Sequence, residues 1–104
     1  MTVELKREAK DAQSNRAGIY VLGPNKVNGK SHWLQDSGPN AFWYEKETGN
    51  WAIGLQDDIG SKKACIYTPE DVTGPQKAKE WKYRGNGKWL KSDDILVDAF
   101  EQGT

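Results

Sequence analysis

Four turn signals cut this 104-residue chain into pieces too short for long helices: Gly23-Pro24-Asn25, Gly38-Pro39-Asn40, Gly74-Pro75 and Gly85-Asn86-Gly87. Proline fixes φ and donates no backbone hydrogen bond, while Gly and Asn accept the positive φ that tight turns require. Between these marks lie short runs rich in Trp, Tyr, Phe and Ile, such as Ile19-Tyr20-Val21-Leu22 and Ala64-Cys65-Ile66-Tyr67. Runs of that kind, bounded by turn residues, read as antiparallel strands. The expected fold is therefore all-β and mostly antiparallel, with about six or seven strands. It would form a small sandwich or barrel built from hairpins, with one or two short helical turns at most.

The clearest hairpin pairs residues 41–46 with residues 51–55 across Glu47-Thr48-Gly49-Asn50. If Gly49 forms a bulge, Trp43 lies opposite Ile53 and Glu45 opposite Trp51. Trp43, Trp51, Ile53 and Leu55 would then share one face, and Phe42 and Tyr44 the other. A second hairpin joins residues 80–84 to residues 88–91 through Asn86-Gly87, the strongest two-residue hairpin signal. Ile95-Leu96-Val97 makes a last strand. Thr68-Pro69-Glu70-Asp71 reads as a helix start, which Gly74-Pro75 would stop.

The two hairpins also echo one another. Trp43 and Trp51 are spaced like Trp81 and Trp89, and Asp57-Asp58-Ile59 follows the first pair as Asp93-Asp94-Ile95 follows the second. An internal pseudo-repeat is one account; reuse of good turn and ring residues is the other. Residues 1–16 stand apart as a short helix or a frayed tail, 17–98 form the β domain, and 99–104 form a tail.

Such a fold needs a core, and aliphatic residues are scarce. Leu, Ile, Val and Phe number 18 of 104, and mean hydropathy is −0.88. That poverty would suggest disorder if the charge were unbalanced, but 15 basic residues meet 15 acidic ones. Five Trp and four Tyr supply the missing apolar area, since each buried ring removes roughly 150–250 Å² from water. The core is expected to be made of rings.

Balanced charge argues against nucleic acid as the main partner, because counterion release rewards a basic stripe. No apolar stretch is long enough to span a membrane, and the charged N-terminus does not suit a signal peptide. A single cysteine, Cys65, reads as a small buried apolar residue. These features favour the cytoplasm, although a module excised from a larger chain would look the same.

Catalytic constellations are missing from the sequence. Hydrolysis by a nucleophile needs a base and an orienting group, and the chain has one His and one Cys. His32 reads as a surface or edge histidine, and Asp57, Asp58, Asp93 and Asp94 as turn residues rather than an acid–base pair or a Ca²⁺ site. Gly85-x-Gly87 lacks the third glycine and the helix that a phosphate loop requires. No enzyme activity, cofactor or metal is expected.

So many rings are difficult to bury completely, because indole N–H and phenol O–H both want partners. Exposed aromatics beside polar residues are the usual anchors of binding sites. The candidates are Trp33, Phe42, Tyr44 and Tyr83, with Asp36, Asn40 and Asn50 as polar handles. The expected function is non-catalytic binding of a protein or peptide. A lectin-like domain stacking rings on a glycan is the alternative, and self-association through a strand edge is a further outcome.

Asn28-Gly29-Lys30-Ser31-His32-Trp33, Ala41-Phe42-Trp43-Tyr44 and Gly49-Asn50-Trp51-Ala52-Ile53-Gly54 resemble a recurring module of protist and invertebrate proteins. Trp81-Lys82-Tyr83, Gly87-Lys88-Trp89 and Ile95-Leu96-Val97 continue the likeness, which spans residues 18–98. Ser31 stands where the module usually carries Pro. The resemblance implies repetition and display within larger proteins, and no particular chemistry.

Overall fold

The computed structural model describes residues 1–60, 63–70, 72–85, 88–92 and 95–98. Nine strands run in chain order: β1 Thr2–Leu5, β2 Gly18–Leu22, β3 Trp33–Gln35, β4 Asn40–Glu45, β5 Asn50–Leu55, β6 Ile66–Tyr67, β7 Trp81–Gly85, β8 Lys88–Ser92 and β9 Ile95–Asp98. All pair antiparallel in a single sheet ordered β8-β7-β6-β5-β4-β3-β2-β1-β9. Each strand therefore lies beside its chain neighbour until β9, which returns to pair with β1. The fold is a mostly antiparallel β meander nearly closed into a barrel.

Closure depends on the last two strands. Alternation along the meander makes β8 run opposite to β1, and β9 runs opposite to β1 as well. Two residues separate β8 from β9, so they act as one interrupted stave. Its first half pairs with β7 and its second half with β1. Eight staves enclose an interior just wide enough for side chains to fill. Val3, Leu5, Tyr20, Phe42, Trp51, Ile53, Ile66, Trp81, Tyr83, Ile95 and Val97 fill it. The rings pack edge to face, with Tyr20–Phe42 centroids 5.0 Å apart and Phe42–Trp81 6.1 Å apart. This is the ring-built core that the composition calls for.

The N-terminal segment, expected as a short helix or a frayed tail, holds a short helix and, before it, a strand that joins the core. β1 is an inner stave, and Met1, Val3, Leu5 and Ala9 are all buried. Helix α1, Arg7–Gln13, lies against β7, where Gln13 Nε2 donates to the Arg84 carbonyl at 2.6 Å. Local sequence gives little warning, because β1 owes its place to pairing with residues at the far end of the chain.

The first hairpin is corrected by one residue. Glu45 pairs with Asn50, Tyr44 with Trp51, Trp43 with Ala52 and Phe42 with Ile53. The loop therefore holds four residues, and Glu45 organises it. Its carboxylate accepts from the Glu47 and Thr48 amides at 3.1 and 2.7 Å, and its carbonyl accepts from Gly49 N at 2.9 Å. Gly49 takes φ +75, the region glycine favours. A one-residue slip moves side chains to the opposite face. Phe42, Tyr44, Trp51 and Ile53 thus point inward together, and Trp43 points out.

Trp43 is nonetheless fully buried. Val27, Leu34, Ile59, Ala64 and Tyr67 pack with it over Ala41 and Ala52, forming a second small core outside the barrel. Gly54 permits this closure. A Cβ there would sit 2.8 Å from Trp43 Cη2 and 3.0 Å from the Lys63 carbonyl oxygen. Gly54→Ala should therefore lower the urea midpoint, at a cost of about 1–3 kcal/mol. An unchanged midpoint would mean that the loop over Trp43 yields freely.

Other local expectations change too. Thr68-Pro69-Glu70 starts no helix; Thr68 Oγ1 instead accepts from Glu70 N at 3.1 Å. Gly74-Pro75 opens a 3-10 turn, Pro75–Lys77, rather than ending a helix. Two more such turns, Ser14–Arg16 and Gln56–Asp58, and the short α1 make up the rest of the helical structure. The Asn86-Gly87 turn, Asp71, the Asp93-Asp94 pair and the 99–104 tail lie outside the described residues.

Candidate functional site

Because side chains fill the barrel, a ligand must be met at an end or on the outer wall. The structure divides the seven expected site residues accordingly. Phe42 and Tyr83 are 0% and 3% exposed, and Asn40 is 0% exposed, so these three belong to the core. Phe42 and Tyr83 turn inward with their registers. Asn40 carries a buried polar network: its Nδ2 donates to the Asn15 carbonyl at 2.7 Å and to Gln35 Oε1 at 2.8 Å, while its Oδ1 accepts from Arg16 Nη1 at 2.6 Å.

The same network corrects Cys65. Its thiol is half-buried and accepts from Arg16 Nη2 at 3.0 Å, a polar setting rather than an apolar one. Tyr20 hydroxyl donates to the Arg16 carbonyl at 2.6 Å, and burial pushes its phenol well above the ordinary tyrosine value. His32 is also corrected. It is buried, and a Cβ at Gly23 would collide with its imidazole.

Trp33 and Tyr44 remain half-buried at one end of the barrel, on either side of Trp51. Their ring centroids lie 5.8 and 5.5 Å from the Trp51 ring, and Lys30 Nζ sits 5.0 Å from the Tyr44 centroid. Trp51 Nε1 donates to the Val72 carbonyl at 3.0 Å. Trp33 and Trp51 bound an open hollow of about 400 Å³ between the barrel mouth and the segments at Lys30 and Gly74. Packed onto Trp51, Trp33 and Tyr44 first of all cap the core. Asp36 is exposed in the loop after β3, on the opposite end.

A different arrangement occupies the outer wall. Cross-strand pairs set Ala52 beside Tyr67, Tyr67 beside Lys82, and Arg84 beside Trp89, all facing away from the barrel axis. Trp89 meets Tyr67 edge to face at 4.8 Å and is still 40% exposed. The Arg84 guanidinium lies over the indole, 5.8 Å from its centroid. Beside these rings a groove of about 200 Å³ runs over Ala52 and Ala64 to Thr48, Asn50 and the loop-organising Glu45. Asn50 is the one expected residue that this groove contains.

Trp89 and Tyr67 were not among the expected residues, although a signal was present. With two residues between β7 and β8, Gly85 pairs with Lys88 and Arg84 with Trp89. Once Trp81 and Tyr83 face inward, Trp89 has to face outward. The equal spacing of the two tryptophan pairs hides this difference. A four-residue loop places Trp51 inside, and a two-residue loop places Trp89 outside.

Among the described residues, no group of three or more His, Cys, Asp or Glu could hold a metal ion, and no helix is long and apolar enough to cross a membrane. The chain matches no family model, no curated protein and no solved structure. Its function has to be argued from these residues.

Proposed function

We propose that this domain is a non-catalytic binding module that engages a protein or peptide through the outer groove at Tyr67 and Trp89. The carrying observation is Trp89 itself. It is the most exposed of the five tryptophans, and it borders a groove with apolar floor residues and polar ends. An amphipathic ring beside small apolar residues is the usual anchor for a partner's side chain. Trp33 and Tyr44, with the end hollow, offer less, because their rings already pack on Trp51.

The ring geometry weighs toward a peptide over a glycan. Sugar stacking wants an open, flat indole face, whereas Trp89 has a guanidinium over its ring and Tyr67 perpendicular to it at 89°. Such a cleft suits a branched side chain better than a pyranose. Indole emission titrated against a random peptide library and a glycan panel tests this reading. Peptides should shift the emission, and Trp89→Ala should weaken binding by about 30-fold, the scale of a hot-spot loss. Saturable glycan binding at the same groove, with no peptide response, would overturn the proposal.

A further inference from the structure

The outer face of β7 and β8 carries charges in an unusual order. Lys82 stands directly opposite Lys91, although like charges in that position weaken a strand pair. Arg84 follows Lys82 by two residues and therefore shares its face. The acidic groups nearby are Glu80, whose Oε1 lies 3.0 Å from Lys91 Nζ, and Glu45 at the far end of the groove, whose carboxylate accepts from the Glu47 and Thr48 amides. Among the described residues, Lys82 and Arg84 have no ion pair. Glu8 and Asp11 of α1 border a separate hollow beside Arg84 without pairing to it. In a chain with formal net charge zero, three cations gathered beside the exposed indole are a local segregation of charge.

We infer that the partner segment is an extended acidic peptide. Its apolar side chain enters the groove at Tyr67 and Trp89, and its carboxylates meet Lys82 and Arg84. This rests on the groove being a partner-binding surface, as argued above. Lys82 and Arg84 are two positions apart along the strand, about 6.6–6.8 Å, the spacing at which alternate side chains of an extended peptide repeat. Acidic residues at alternate positions therefore match the two cations, and the Lys82–Lys91 repulsion is relieved when they arrive. A single-stranded nucleic acid would bring phosphates too, but it needs ring faces free for base stacking, and the Trp89–Tyr67–Arg84 arrangement supplies no such platform.

The test is selection of short random peptides on the intact chain, followed by titration of the selected sequences. Peptides with Asp or Glu at alternate positions around an apolar residue should be enriched. Their affinity should fall about tenfold or more between 0.1 and 1 M salt, over which the Debye length shrinks from about 10 to about 3 Å. Lys82→Gln with Arg84→Gln should cost about tenfold or more in affinity, and Lys82→Glu with Arg84→Glu should turn the preference toward basic peptides. The salt titration needs no variant, so the test survives a misfolded mutant. Enrichment of neutral or basic peptides would overturn the acidic inference while leaving peptide binding intact. Equal or tighter binding of a single-stranded oligonucleotide would overturn it as well. Failure to select any peptide would instead overturn the underlying reading of the groove.

Discussion

Trp51→Ala should cost about 3–5 kcal/mol, a large share of a total stability of about 5–15 kcal/mol for a domain of this size. Three losses coincide at this position. The indole fills the barrel at its mouth, 2% exposed, and alanine leaves a cavity that the rigid staves cannot collapse around. Trp33 and Tyr44 lose the ring on which both rest. The Val72 carbonyl loses the donor that ties the segment before β7 to the barrel. Trp51→Phe keeps part of the volume and removes the hydrogen bond, so it should fall between the two. Urea denaturation followed by far-UV circular dichroism reads the difference. A loss below about 1 kcal/mol for alanine would mean that the barrel does not depend on its rings.

Asn40→Ala should be nearly as damaging, at about 2–4 kcal/mol, although it removes no large apolar group. Three partners converge on this buried amide: the Asn15 carbonyl, Gln35 Oε1 and Arg16 Nη1. Truncation leaves Nη1 of the half-buried Arg16 without this acceptor, while the Asn15 carbonyl still accepts from Gln35 Nε2 and Gln35 Oε1 from the residue-40 amide. Losing a hydrogen bond to a charged group costs about 1.5–3 kcal/mol, and the two weakened acceptors add to it. Asn40→Asp makes the argument sharper. Its Oδ1 can still accept from Arg16, but the former amide nitrogen becomes an oxygen facing two other oxygens. Chemical denaturation at neutral pH should find both variants destabilised. An aspartate as stable as the wild type would show that the Asn40 amide donates to neither oxygen.

Strand identity was legible because it rests on local chemistry. Gly-Pro-Asn turns and short ring-rich runs fix where strands start and stop, and the sheet contains the Ile19–Leu22, Ala41–Lys46, Trp51–Leu55 and Ile95–Val97 segments nearly as expected. Register was less legible. Glu45 folding back on its own loop added a residue to the turn, and that single residue moved Trp43 and Phe42 to opposite faces from those expected. The candidate site suffered most, since exposure depends on register twice over, once within each strand and again between hairpins. Asn40 looked like a polar handle beside a strand, and only the fold brings Arg16, Asn15 and Gln35 around it. Trp89 looked like the partner of Trp81, and only the shorter turn sends it outward. β1 had no visible reason to be a strand until its partner, β9, was placed beside it.

That pairing of β1 with β9 has a further consequence. Thr2 faces Asp98 across the ladder, and their backbones are about 4.5–5.5 Å apart, as opposed residues are. Met1 then closes this edge of the barrel: its side chain is buried and its amino group donates to the Tyr20 carbonyl at 2.9 Å. Any residue added before Met1 would have to break that bond or turn away at the mouth of the barrel, beside the hollow that Met1 borders.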